Sequence, residues 1–302
     1  MDIEKLFPET KDFIWGGNKL KNYGKTSDKE RIAESWELSF HPAGPSRLED
    51  GRLLCDVATK ADWGENAAKF PFFPVLIKFI DSKENLSVQV HPSDEYALKN
   101  EGQFGKTEMW YIVEAEEGAG IYLGFSRKVT KEEFGKAIED GSVLDLLNFY
   151  PVKAGEHYFI ASGTVHAIGK GCVIAEIQQN SNLTYRVYDY GRKDASGKGR
   201  ELHIDKAKKV TNFEKFVNAP LSEPRGEGVC IGRCEYFTVT QYDVNGQLRL
   251  SADEKSFKAV TFVGGEGKIG GKAARKGDTF FVPANHGAFV VEGRAKILVT
   301  EV

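Results

Sequence analysis

At 302 residues, 41% of them hydrophobic, the chain has apolar surface for one large core or two modest ones, which argues against intrinsic disorder. Its 41 basic and 44 acidic residues nearly cancel, so no broad positive field exists to collect nucleic acid or an anionic membrane, and any anion must be recognised locally. The charged start MDIEKLFPETK, an apolar maximum at 70–80 that is short and holds Pro71, Pro74 and Lys78, and only four cysteines together predict a soluble cytoplasmic protein with reduced thiols.

In chain order, the segments FPVLIKFID, LSVQVH, EMWYIVEAE, AGIYLGF, EHYFIA, CVIAEIQQ, LTYRVYDY, YFTVTQYDV, AVTFVGGEG, DTFFVPA and AKILVTEV are short, many alternate apolar with polar, and glycine or polar turns separate them. That is the pattern of half-buried strands. Two segments depart from it: Ser93 to Asn100, and Thr130 to Asn148, where Phe134, Ile138, Leu144 and Leu147 recur at partly helical spacing. Thr130 is a suitable N-cap, with Glu132 and Glu133 in the first turn. The pair Cys230 and Cys234 has no second Cys or His pair nearby, so packing is preferred over a zinc site.

The segment AGEHYFIASG at 154–163 returns as KGDTFFVPAN at 276–285, with Gly155 matching Gly277 and Phe159 matching Phe281. Two related β-barrels are therefore expected. At the same offset His166 falls on Ala288, and His286 is displaced by two, so the second copy is expected to lack the chemistry of the first. The fold class is all-β: two cupin-like jelly-roll barrels with a small helical insertion. Residues 1–200 form the first barrel with its insertion around 130–148, 201–226 a polar linker with a short helical piece, and 227–302 the second barrel.

Gln89 and His91 stand two apart in LSVQVHP and so project from one strand face. Glu108 opens the strand after GKT, and His166 follows Gly163 by three; the spacing Gly155, Ala161, Gly163, His166 reproduces the second cupin motif, with Ala161 where proline is usual. Two imidazoles, a carboxylate and an amide oxygen carry one formal negative charge, a set that suits one divalent ion per chain and leaves it Lewis acidic. Zinc is preferred, although nickel, cobalt, iron or manganese fit the same donors. Any one of these histidines alone would more often be a hydrogen-bonded core residue. Further on, Thr184, Arg186 and Tyr188 share a strand face, and a turn at 180–182 is expected to fold that strand against Glu176 and Gln178. An arginine pointing into a barrel needs an anion, either Glu176 or a substrate.

The runs WGGNKL (15–20), ESWELSFHPAGPS (34–46), PVLIKFIDSKENLSVQVHPSD (74–94), GKTEMWYIV (105–113), GTVHAI (163–168) and QQNSNLTYRVYDYGR (178–192) resemble the class I mannose-6-phosphate isomerases, in particular their short bacterial form. The resemblance covers residues 1 to about 200; beyond about 205 it rests on length and a second barrel. It implies metal ligation by Gln89, His91, Glu108 and His166, with Gln89 the one that not every description of the family counts. It also implies Arg186 as the active-site arginine, with Lys106 and Glu176 in the same pocket. The implied reaction interconverts mannose 6-phosphate and fructose 6-phosphate through an enediol, which needs a base, a stabiliser of enediolate charge and a relay between O1 and O2. Glu176 qualifies as base if burial raises its pKa, with an activated water or Lys106 as alternatives. Lys106, Arg186 and Arg192 are expected around the mouth for the phosphate. An iron-dependent cupin oxygenase on His91, Glu108 and His166, and a non-catalytic sugar-binding cupin, are the competing readings. The oligomeric state is left open.

Overall fold

The computed structural model describes residues 1–193 and 197–302. Its strands form three antiparallel sheets. The six-stranded sheet runs Glu9–Lys11, Glu34–Leu38, Val75–Ser82, Cys172–Gln179, Glu108–Ala115, His157–Ile160, and the five-stranded sheet runs Tyr185–Tyr188, Val88–Val90, His166–Ile168, Gly120–Phe125, Leu147–Pro151. Apolar side chains of both meet in one core, Trp110, Ile112 and Ile174 from the larger sheet against Ile121, Leu123 and Ile168 from the smaller. The alternation in these segments thus buries one face between two sheets.

The eight-stranded sheet is built from residues beyond 222 with one exception: Glu4–Lys5, at the start of the chain, pairs with Thr279–Val282. Its own core includes Phe262, Phe280 and Ile297. The outer face of the six-stranded sheet, with Ile77, Phe79 and Met109, packs against Phe237, Phe257 and Leu298 of this third sheet in a single shared cluster. The β-dominated fold expected from the sequence is therefore present, as three open ladders.

The repeat extends to individual hydrogen bonds. Gly155 N donates to Ile112 O at 2.8 Å and Gly277 N to Phe262 O at 2.8 Å, while Ile112 N donates to Glu156 O at 2.9 Å and Phe262 N to Asp278 O at 2.8 Å. The acidic side chain closes each turn, Glu156 accepting from Lys153 N at 2.9 Å and Asp278 from Arg275 N at 3.0 Å. Both turns need a left-handed residue, supplied by Gly155 at φ 95° and Gly277 at φ 97°.

Helices are additions to the sheets. Asp94–Asn100 starts at Ser93, and Lys131–Asp140 is capped by Thr130, whose hydroxyl accepts from Glu133 N at 3.1 Å. Phe134 and Ile138 press this second helix onto Val88 and Phe125 of the five-stranded sheet. The helical stretch expected to reach residue 148 stops at Gly141; a 3-10 turn, Val143–Leu146, then leads into the strand Leu147–Pro151. Within residues 201–226, helix Ile204–Val210 buries Ala207 in the same cluster and Glu223–Arg225 is a strand of the third sheet. Among the described residues no helix is long and apolar enough to cross a membrane.

Candidate metal centre and substrate cleft

Three adjacent strands of the five-stranded sheet line up Arg186, Gln89 and His166: Gln89 is the direct register partner of each of the other two. His91 leaves the end of Gln89's strand, and Glu108 enters from the opposing six-stranded sheet. One donor atom from each of His91, Glu108 and His166 can be chosen so that all three lie within 4.8 Å of one another, and all three residues are buried.

The hydrogen bonds behind these groups set their chemistry. His91 Nδ1 faces Leu183 O at 2.8 Å and His166 Nδ1 faces Thr164 O at 2.8 Å. A carbonyl can only accept, so both rings carry their proton on Nδ1 and turn the Nε2 lone pair inward. Burial, then the Lys106 charge, lowers both imidazoles, His166 to about 4 and His91 well below its ordinary value. Both are thus the neutral rings that a metal binds. Glu108 Oε2 lies 3.6 Å from His91 Nε2 and Oε1 lies 3.5 Å from His166 Nε2, yet the buried Oε1 has no hydrogen-bond donor. That buried oxygen, beside the inward lone pair of His166, has no donor of its own, and the set of two imidazoles and a carboxylate fits a divalent ion. Gln89 Nε2 approaches His166 Nε2 at 3.4 Å, so turning its amide over puts an oxygen at the same point.

Below this group runs a buried row of alternating charge. Lys106 Nζ contacts Glu108 Oε2 and lies 3.2 Å from His91 Nε2 and 3.5 Å from Glu176 Oε1. Lys78 Nζ lies 3.5 Å from Glu176 Oε1 and 3.7 Å from Glu34 Oε2, and Trp110 Nε1 donates to Glu176 Oε2 at 2.9 Å. Burial pushes Glu108 up to about 7, with repulsion from Glu176 adding to it. For Glu176 burial acts in the same direction but Lys106, Lys78 and Trp110 outweigh it, so its carboxyl sits below the usual value. Burial works against the charge of Lys106, but Glu108 and Glu176 overcome it and hold it above the ordinary lysine value. Lys106 is therefore held as an ammonium. It is also no solvated surface cation.

Two sequence expectations need correction. The strand Tyr185–Tyr188 does not fold against Glu176 and Gln178: the turn at 180–182 carries the chain to the opposing sheet, where the strand pairs with Val88–Val90. Arg186 consequently has no contact with Glu176; its Nε donates to Ser87 Oγ at 3.1 Å and its Nη1 to Glu201 O at 3.0 Å. Burial, then Arg200, lowers its pKa, as expected of a cation without a carboxylate partner. Arg192, in turn, commits its guanidinium to Asp189 and to Asn85 O at 2.6 Å and does not line the cleft.

The cleft, about 300 Å³, is lined by Lys78, Gln89, Lys106 and Glu176 together with Arg186, Arg200 and His203. Arg200, which grips Asp189 through Nε at 2.7 Å and Nη2 at 2.5 Å, was not singled out from the sequence, nor was Lys78. For Lys78 a signal existed: a lysine inside the apolar run PVLIKFID must be paired when buried.

A family model described as the phosphomannose isomerase type I catalytic domain matches residues 3–118, and one described as the mannose-6-phosphate isomerase cupin domain matches residues 230–302. Mannose-6-phosphate isomerase ManA of Bacillus subtilis (strain 168) is 38% identical over 317 aligned positions, covering 99% of both chains. The mannose-6-phosphate isomerase of Streptococcus mutans serotype c is 38% identical over 300 positions, covering 95% of this chain and 94% of its own. A crystal structure of the mannose 6-phosphate isomerase from Bacillus subtilis superposes with a TM-score of 0.90 at 35% identity, over 100% of both chains.

Proposed function

The chain belongs to the mannose-6-phosphate isomerase family, type I, and its reaction is the interconversion of mannose 6-phosphate and fructose 6-phosphate; we propose that the reaction runs in the cleft beneath His91, Glu108 and His166. The observation that carries this reading is the buried Glu108 Oε1, which has no hydrogen-bond donor and lies 3.5 Å from the inward Nε2 of His166, in a group whose neighbours Gln89 and Lys106 line the same cleft as Arg186 and Arg200.

His91, Glu108 and His166, with Gln89 as fourth donor, would hold one divalent ion per chain, zinc being the preferred one. Bound there, it supplies Lewis acidity and a template for the sugar's O1 and O2. The chain's own groups do the rest. Glu176 is held ionised beside Lys106 and is available to take the proton from C2 of the aldose or C1 of the ketose. Lys106 is held as an ammonium and can return a proton to oxygen or neutralise the enediolate. Arg186 and Arg200 present donors to the phosphate, so that binding energy from that remote group orients C1 and C2.

We read the five- and six-stranded sheets as one jelly-roll barrel and the eight-stranded sheet as a second, joined near residues 211–222. A cytoplasmic setting is supported by four cysteines without a disulfide among them. The deciding assay follows the conversion of mannose 6-phosphate by a coupled reaction, before and after chelation and on refilling with zinc, cobalt or manganese. Full activity of the chelated, metal-free chain would overturn the reading.

A further inference from the structure

The two halves can be compared position by position through their shared turn. Glu108 is the register partner of Ile160, and Lys258 that of Val282, the residue that matches Ile160 in the repeat. The metal-binding carboxylate of the first half is thus a lysine in the second. Trp110 pairs with Glu176 as Val260 pairs with Val299, which puts Glu301 at the place of Gln178. The structure preserves the position while inverting its charge, a carboxylate at Glu108 and an ammonium at Lys258.

Around Lys258 lies a cavity of about 550 Å³, a size suited to a small metabolite. Arg225 and Arg249 add two guanidinium groups to its wall, Thr240 and Ser251 two hydroxyls, and Leu248 and Tyr242 apolar surface. The carboxylate of Glu301 receives both Lys258 Nζ and Arg225 Nη2, and Arg225 Nη1 donates to Thr240 Oγ1 at 3.3 Å. Two cations, Lys258 and Arg225, meet at Glu301, whose side chain is only 11% exposed, and Arg249 lines the same cavity. Planar guanidinium forks beside a partly buried ammonium are donors for a phosphoryl group, and the apolar wall suits the carbon skeleton of an ester.

We propose that this cavity is a second, metal-free site that binds a phosphoryl group, free or as a monosaccharide-sized ester. Glu301 is its internal competitor, since it occupies the same donors.

The test is isothermal titration of the full-length protein with inorganic phosphate and, separately, with fructose 6-phosphate, alongside steady-state kinetics. The wild type should bind in excess of one ligand per chain. Lys258→Met should weaken the additional site at least tenfold while kcat and KM stay within twofold, because Lys258 lies outside the catalytic cleft. Glu301→Gln should tighten it several-fold by freeing Lys258 and Arg225. Binding of fructose 6-phosphate alone identifies an ester as the ligand; binding of both identifies the phosphoryl group itself. One site per chain, or additional binding unchanged in both variants, overturns the proposal.

Discussion

Arg186 and Gln89 face each other across adjacent strands, and the Arg186 guanidinium meets a hydroxyl and a carbonyl but no carboxylate. Its full charge is therefore available to a substrate. Arg186→Ala should lower kcat on the order of a hundredfold if the charge acts in the transition state, with metal content and melting temperature unchanged. A defect confined to KM would make Arg186 a binding residue only, and a fall in stability without a kinetic change would contradict the geometry.

Metal uptake should carry one proton-linked step between pH 5 and 7. Both imidazoles are already neutral there, His166 at about 4 and His91 depressed, while Glu108 titrates at about 7. As pH falls below 7 Glu108 binds a proton that the metal must displace, so affinity should drop about tenfold per unit. The sign for folding follows: with its pKa raised, Glu108 favours the metal-free fold below its unfolded pKa near 4.3, and that contribution is lost as pH rises through about 7. Calorimetry of zinc binding in buffers of different ionisation enthalpy measures the proton released. A pH-independent affinity would exclude Glu108 as a ligand.

His166→Ala should abolish both metal binding and turnover, measured by elemental analysis and the coupled assay, because among the described residues no other His, Cys or carboxylate joins the group of His91, Glu108 and His166. His286→Ala, whose ring lies near Asp2 and far from this group, should alter neither.

Glu176→Gln removes the carboxylate that sits between Lys78 and Lys106. It should reduce kcat by at least a hundredfold and, by leaving two buried ammonium groups short of an anion, destabilise the fold by roughly 3–5 kcal/mol. Denaturant melts report the second effect. Lys78→Met in the same background should recover part of the stability and none of the turnover.

The two related turns predict unequal costs for one substitution. Alanine at Gly155 meets nothing closer than Tyr111 Oη at 4.0 Å, so Gly155→Ala should cost only the left-handed backbone strain, about 1–2 kcal/mol. Alanine at Gly277 places Cβ 2.7 Å from Tyr23 O, and Gly277→Ala should cost distinctly more. Equal melting temperatures would show that the Tyr23 backbone yields.

What was legible in the sequence follows from the range of each interaction. Gln89 and His91 declare themselves because strand periodicity puts i and i+2 on one face, and the turn at Gly155 is recognisable because few residues can make it. The pairing of the Arg186 strand is not legible, because a turn at 180–182 looks alike whether the chain returns to its own sheet or crosses to the facing one. Arg200 enters the cleft through its tertiary contact with Asp189, which no local pattern encodes, whereas the apolar run around Lys78 marks a buried lysine without naming its partners Glu34 and Glu176. The weakest likeness in the sequence, beyond about residue 205, is where a cupin-domain model matches over 230–302.

The pairing of Glu4–Lys5 with Thr279–Val282 has a consequence for biosynthesis. The strand Glu4–Lys5 cannot find its ladder until some 270 residues more have left the ribosome, so the third sheet closes only after Thr279–Val282 has emerged. Until then the outer face of the six-stranded sheet, whose cover includes Phe237, Phe257 and Leu298, stands exposed on the nascent chain. Chaperone dependence should therefore concentrate in that interval, and a chain released before Leu298 should aggregate instead of surviving as an independent catalytic half.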